Sequence, residues 1–341
     1  MDSHSLDCLD FTGVRELLAG YALTSLGKTL ALTIRPSRKP ELVRRWLAQV
    51  TELDAYSLHH GLPPFAGLSD IRETIHKCAP PLRVTVEDVA RIGETLTAIT
   101  EIRGYVAAVT PESPELRHLA ERIGDFRTIA ARIRTIIDER GHVRDDASPK
   151  LLRIRREIEQ AGVQVRGSVE RILHDPAIRR MLQYPNYTFH ADRLVLPLRS
   201  EYRGRLAGII HRSSDSGATL YVEPAAAVAA NNQIANLRSE EQEEIHHLLW
   251  ELTHEIYLNE KEIVRTLEAL AILDLTVAKV RFARDFDLTC PKVLDAGPLI
   301  VHDARHPLLL ALFRREERET GSPRRVVPIS YRLGQDMDMI V

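Results

Sequence analysis

Residues 201–224 read EYRGRLAGIIHRSSDSGATLYVEP, and the reading of this stretch decides how the chain on either side folds. It sets His211, Asp215 and several serines close together beside glycines and arginines. Acyl-transfer triads are assembled from distant segments on a scaffold that aims each group, so three such residues in one Ser-rich turn do not make one. A phosphate loop needs glycines leading into a helix N-terminus, whereas SSDSGAT leads into the strand-like run ATLYV. What fits is a hairpin turn, with Asp and Ser side chains bonding nearby backbone and Gly217 supplying a positive φ. Residues 193–199, 204–210 and 218–222 are strand-like and are separated by Gly and Ser clusters, so 184–223 is predicted to be a small β insertion of three to four strands. The aromatics of YPNYTF (184–189) read as covers for the base of that sheet rather than as a stacking platform.

Upstream, Ser148-Pro149 is a strong helix start, a capping hydroxyl followed by Pro where no N–H is needed. From there Leu151, Ile154, Ile158, Ala161, Val165, Val169 and Ile172 recur at spacings of three and four, a coiled-coil-like seam. One helix is expected over 147–183, with Gly162 and Gly167 as close-packing or bending points. Downstream, Ile245, Leu249, Leu252, Ile256, Ile263, Leu267, Leu270, Leu273, Val277 and Val280 give a second long helix over 224–286. Two long helices flanking one insertion are expected to run antiparallel, bringing Lys150 near Glu260 and Arg166 near Glu244. Charge supports the pairing. Residues 148–183 hold eight basic and four acidic residues, and 238–262 hold two basic and eight acidic ones. The insertion differs: Arg193, Arg199, Arg203, Arg205 and Arg212 face only Glu201 within 193–212. With Tyr202 among them, these are the candidate contacts for a polyanion.

Residues 1–146 read as helices: one over 40–60 with Pro40 in its first turn, one capped by Ser69 and Asp70, one opened by Thr85-Val-Glu-Asp88 as a capping box, and one from about 114 to 140. Residues 287–341 are rich in strand and loop signals and end on GQDMDMIV, read as a strand. Composition is that of an ordinary soluble chain, 44% hydrophobic and 28% charged over 341 residues, and only 5% aromatic residues fits a helix-rich fold. A net charge of −2 excludes a polycation, so any nucleic-acid surface must be local. Cys8, Cys78 and Cys290 are too scattered for a zinc site or a disulfide framework. The pairs His59-His60 and His246-His247 do not share a helix face as metal ligands do. No signal peptide or membrane span is read, and the expected location is the cytoplasm.

VRDDASPKLLRIRREI (143–158), RLVLPLRSEYRGRLAGIIHRSSDSGATLYVEPAAAVAANN (193–232) and ARHPLL (304–309) carry a resemblance. Together they resemble the MutS-two subfamily of MutS-like ATPases, and the likeness extends from about Leu9 to Val341. The resemblance implies a mainly α fold: a helical core (1–146), an outgoing lever helix (147–183), a small β clamp (184–223), a returning lever helix and core (224–286), and the start of an ATPase domain (287–341). It implies nucleic-acid binding, with branched DNA in recombination control as the first target. A ribosome with its rRNA is the alternative, and a purely structural scaffold is a third reading. A full-length parent is expected to be a homodimeric, DNA-stimulated ATPase using ATP and magnesium, and a C-terminal endonuclease domain is a further element the resemblance allows. This chain is expected to bind without catalysing anything and to need no cofactor. The Phe-x-Glu wedge of mismatch-reading relatives does not occur. The chain also stops where a Gly-rich phosphate loop would follow, and its one Gly-Lys, Gly27-Lys28, lies in a helical context. Arg305, His306 and Pro307 resemble the stretch that adjoins the nucleotide base in the family, a role that would require the ATPase domain.

Overall fold

The structure is a computed structural model that describes residues 3–80, 84–190, 193–321 and 324–334. It is mainly helical, with thirteen α-helices and two small antiparallel sheets among the described residues. The chain divides into two compact units, Arg132–Thr253 and the remainder, Met1–Ala131 with His254–Val341. The strand expected at DMDMIV lies outside the described residues.

The larger unit begins with α1 (Ser3–Cys8), α2 (Phe11–Ala19), α3 (Ser25–Thr33), α4 (Pro40–His60), α5 (Arg72–His76), α6 (Val86–Ala107) and α7 (Pro114–Ala120). α4 occupies the span its apolar spacing predicts. α6 opens with the capping box foreseen at its start: Thr85 Oγ1 accepts from the Asp88 N–H and an Asp88 carboxylate oxygen accepts from the Thr85 N–H, both at 3.2 Å. Val89, Ile92, Leu96, Ile99, Ile102 and Val106 then recur at helical spacing and are buried. The helix expected over 114–140 is two helices, α7 and α8 (Arg127–Ile136). Gly124 lies in the connection between them, its N–H donating to Thr266 Oγ1 at 3.0 Å where a Cβ would lie 2.8 Å from the Phe126 ring.

The helix expected over 224–286 is also two, α11 (Ala225–Leu258) and α12 (Glu260–Phe286), because Asn259 leaves the helical path and its amide donates to the Glu255 carbonyl. Within the larger unit, the buried Asp274 of α12 accepts from the Leu23 N–H at 2.9 Å, the Thr24 N–H at 2.8 Å and Thr24 Oγ1 at 2.6 Å. This pins the start of α3, and Gly27 is there because a Cβ would sit 2.2 Å from the Asp274 carboxylate. Gly27-Lys28 is therefore a helix-packing site. After α12 come β5 (Leu299–Ala304), α13 (Pro307–Thr320) and β6 (Ile329–Leu333), the strands pairing antiparallel.

In the smaller unit, the helix expected over 147–183 ends early. It forms α9 (Pro149–Leu173) and, after Asp175 caps a new start at Pro176, α10 (Pro176–Met181). Ser148 caps α9 as foreseen, accepting from the Leu151 N–H at 3.0 Å. The seam residues Leu151, Ile154, Ala161, Val165 and Val169 are buried. Lys150 pairs with Glu244 at 2.9 Å and Arg155 with Glu241 at 2.7 Å, so α9 and α11 run in opposite directions where these pairs cross. The register differs from the expected one: Lys150 meets Glu244 rather than Glu260, and Glu244 is occupied by Lys150 and Ser148 rather than Arg166. The cause is the early end of α9, which moves the crossing partners toward the start of α11.

The smaller unit carries the sheet of β1 (Thr188–His190), β2 (Arg193–Arg199), β3 (Gly208–Ser213) and β4 (Thr219–Pro224), in the order β1-β2-β4-β3, all antiparallel. Its core joins Leu194, Leu196, Leu198, Leu220 and Val222 to Val165, Val169 and Ala227. The strand expected at 204–210 starts instead at Gly208, because residues 203–205 form turns and the chain bends at Leu206.

Gly162 and Gly167 are not packing points. A Cβ at Gly167 would meet nothing within 4 Å, and one at Gly162 only an arginine tip at 3.9 Å. Replacing Gly167 with Ala is therefore expected to stabilise α9 by about 0.5–1 kcal/mol, whereas Gly27→Ala is expected to cost about 1–3 kcal/mol through overpacking against Asp274. Urea midpoints of the two variants should move in opposite directions.

Candidate nucleic-acid interface

The candidate surface is built around one buried carboxylate. Glu223 in β4 is fully buried. Arg193 at the start of β2 donates to both its oxygens, at 2.9 and 3.0 Å. Asn231 in the second turn of α11 donates at 2.7 Å, and His211 Nε2 lies 2.6 Å from the remaining side. Arg193 also donates to Asn232 at 2.7 Å. The bulge that lets His211 reach this group is visible in the ladder, where the β3–β4 register slips between Ile210 and Arg212. Gly208 allows the same close approach at the other end of β3, since a Cβ there would be 2.1 Å from the Glu223 carbonyl oxygen. Burial pushes the Glu223 carboxyl up, but hydrogen bonds from Asn231, His211 and Arg193 outweigh it and hold the group below the usual carboxylate range. Glu244 repeats this on a smaller scale, with burial opposed by Lys150 and Ser148.

These contacts settle which arginines are committed. Arg193 is not free, contrary to the charge count over 193–212. That count stopped short of Glu223, which reaches it across the sheet. Tyr202, in a 3-10 turn over Ser200–Tyr202, is half-buried against the sheet core. Arg212 lays its guanidinium over the Tyr221 ring, 4.7 Å from the centroid. Arg199, Arg203 and Arg205 are exposed and make no side-chain hydrogen bond or ion pair among the described residues. Their backbone is held by consecutive turns, Arg203 N–H to the Ser200 carbonyl and Arg205 N–H to the Tyr202 carbonyl. The SSDSGAT turn is a hairpin: Ser214 N–H donates to Thr219 O, Ser214 Oγ accepts from the Thr219 N–H, and Gly217 has φ +68°. His211 is spent on Glu223, so no triad forms.

Two features here go beyond the expectations from sequence. Arg179 and Arg180 of α10 are exposed, and the next turn joins the sheet through the Leu182–Leu198 bridge, one residue before Arg199. Treating 147–183 as one helix hid this. The second is the set Glu223, Asn231 and Asn232. A glutamate in a strand flanked by apolar residues had to be paired if buried, and that was the available signal. The aromatics of YPNYTF divide: Tyr187 packs on the core, while Phe189 is 68% and Tyr184 42% exposed.

Arg305 and His306 are exposed, Pro307 is at the first turn of α13, and His306 precedes it as an N-cap without a side-chain bond. Arg305 borders a cavity of about 430 Å³ with Phe286, Arg314 and Arg324. Among the described residues no helix is long and apolar enough to cross a membrane, and no group of three His, Cys, Asp or Glu could hold a metal ion.

Because the Glu223 carboxyl is held below its ordinary value, the unfolded chain takes up its proton at higher pH than the folded one. Its stabilisation is complete above the ordinary glutamate range of about 4.3 and fades as pH falls through the lowered value. With Trp46→Phe leaving Trp250 as reporter for the smaller unit, urea midpoints should fall from pH 6 to pH 3. Glu223→Gln should lower the neutral midpoint, costing about 3 kcal/mol as expected for breaking a buried pair, and make that pH dependence shallower.

No protein-family model matches the chain. Curated relatives match along its whole length: "Endonuclease MutS2" of Acetivibrio thermocellus is 31% identical over 344 residues, covering 100% of this chain and 42% of the relative. "Endonuclease MutS2" of Geobacillus sp. is 31% identical with the same coverage, and "Putative endonuclease MutS2" of Bacillus subtilis is 30% identical, again with 100% and 42% covered. The chain thus spans about two-fifths of the length of these relatives. Over that whole span, it belongs with the MutS2-type proteins.

Proposed function

We propose that the sheet of the smaller unit is a clamp that grips a nucleic-acid backbone, carried on α9 and α11 as levers. The observation that carries this reading is the set of exposed arginines without partners, Arg199, Arg203 and Arg205, on a backbone fixed by turns and by the Glu223 hub. A guanidinium presents five N–H donors in a planar fork suited to phosphate oxygens. Such contacts position a duplex without reading bases. The relatives' printed name, endonuclease, supports DNA as the polyanion, and branched DNA is the target proposed. For a complete protein we propose an ATP- and magnesium-dependent, homodimeric parent in which closing of the levers is coupled to nucleotide. Arg305, His306 and Pro307 would then border the nucleotide. This chain contributes binding and no reaction step.

The test is fluorescence anisotropy of labelled four-way junction, duplex and single-stranded DNA across a salt series. Junction binding should be tightest and steep in salt. Replacing Arg199, Arg203 and Arg205 together with Ala should weaken binding to all sequences alike and reduce the slope of log K against log salt by about 0.9 for each phosphate no longer neutralised. Unchanged affinity in the triple variant would overturn the clamp assignment. Absence of DNA binding combined with co-sedimentation with ribosomes would move the target to rRNA.

A further inference from the structure

A cavity of about 620 Å³ lies within the larger unit, far from the arginine-bearing sheet in sequence and used by nothing proposed above. Two helix faces supply much of its wall, and Phe11 of α2, Leu30 of α3, the segment 34–36 and His118 of α7 complete it. Leu42, Trp46 and Gln49 line it from α4, and Ile272, Leu275 and Lys279 line it from α12. Both sets follow the three- and four-residue spacing of a single helix face. Facing stripes of this kind ordinarily interdigitate to crystal-like density. The two helices do pack, Arg284 of α12 donating to Asp54 and Ser57 of α4, but beside Trp46 and Lys279 they leave room for a ligand of small-molecule size.

The cavity is bordered by the cations Arg35, Arg45, Arg122 and Lys279 and by the neutral or titratable polar groups Gln49, Thr276 and His118, and no aspartate or glutamate borders it among the described residues. Arg45 is already paired, with Glu115 at 2.5 Å. Lys279 has no carboxylate partner among the described residues, and its ammonium lies 5.9 Å from the centre of the Trp46 ring. Burial pushes that ammonium down, the mark of a cation removed from water without an anion to replace it. Gln49 is 9% exposed, and its side chain makes no hydrogen bond among the described residues, which leaves its amide open to the cavity. A cation without a carboxylate partner and an amide without a hydrogen-bond partner, beside an aromatic wall, describe the complement of an amphipathic anion.

We propose that this cavity binds a small organic anion with a planar apolar body, its acidic head on Lys279 and Gln49 and its ring against Trp46. The head is a carboxylate or a phosphate, which share this chemistry.

The chain has two tryptophans, Trp46 and Trp250, so Trp250→Phe leaves Trp46 as the sole reporter in an otherwise intact 341-residue protein. The probe is 8-anilinonaphthalene-1-sulfonate, read by energy transfer from Trp46, with N-phenyl-1-naphthylamine as the uncharged comparator. Saturable one-site binding of the sulfonate is expected, and Lys279→Met should weaken it about tenfold, as for the removal of one charge-assisted hydrogen bond. The same change should leave the uncharged probe unaffected, and Lys279→Arg should retain binding of the sulfonate. Competition by benzoate against phenyl phosphate then separates a carboxylate site from a phosphate site. Lys279→Met removes a desolvated charge and should melt no lower than the parent, so lost binding cannot be read as lost folding. No saturable transfer, equal sulfonate affinity in Lys279→Met, or a neutral probe binding as tightly as the sulfonate would each overturn the proposal.

Discussion

A carboxylate with no exposed surface must be surrounded by donors or it will not stay ionised. Glu223 meets that demand by drawing on three elements at once: Arg193 from β2, His211 from the bulge in β3 and Asn231 from α11. The demand fixes the geometry around it. β3 must slip register at His211, β3 must start on a glycine to pass the Glu223 backbone, and α11 must leave the sheet with Asn231 facing back toward it. The hub also sorts the arginines. The one nearest the base of the sheet is spent on structure, while those beyond β2 are held in place with their guanidinium groups open. Presenting uncompensated positive charge on a small sheet costs stability, and a rigid base offsets it.

The helices below the sheet use charge differently. Lys150 and Arg155 are each matched to a glutamate on α11, one of them the mostly buried Glu244. Pairs set partly inside the packing in this way break if the helices slide, so they select one register over its neighbours. In this unit Lys150 and Arg155 of α9 are neutralised by α11, whereas Arg199, Arg203 and Arg205 beside the sheet and Arg179 and Arg180 on α10 have no carboxylate partner among the described residues. A near-neutral total charge is compatible with a local polyanion surface for this reason.

Much of this was legible in the sequence, and the failures have specific causes. Ser148-Pro149, Pro40 and the Thr85–Asp88 box located helix starts because capping is local chemistry. The span of β2 was legible because its apolar run is bounded by arginines. Helix ends were not. Asp175-Pro176, the 121–126 connection and Asn259 each interrupt an apolar stripe that continues on the far side, so periodicity alone ran through them. Gly162 and Gly167 looked purposeful and touch almost nothing, since the need for a glycine is set by the neighbouring element, as Asp274 sets it for Gly27. Arg193 was misjudged because a charge count along the chain cannot see a partner across a sheet. The cavity beside Trp46 left no motif at all, because its lining is gathered from segments far apart in the chain, Phe11, Arg35, Trp46, His118 and Lys279 among them.

MutS2-type relatives match this chain over its full length, and the arginine-bearing sheet lies inside that match. The central claim is that this sheet is where nucleic acid is held. The most direct measurement is amide hydrogen exchange with and without four-way-junction DNA. The account predicts slowed exchange confined to residues 179–213, around Arg199, Arg203 and Arg205. Protection confined to α4 and α12, with the sheet exchanging as in the free protein, would contradict it.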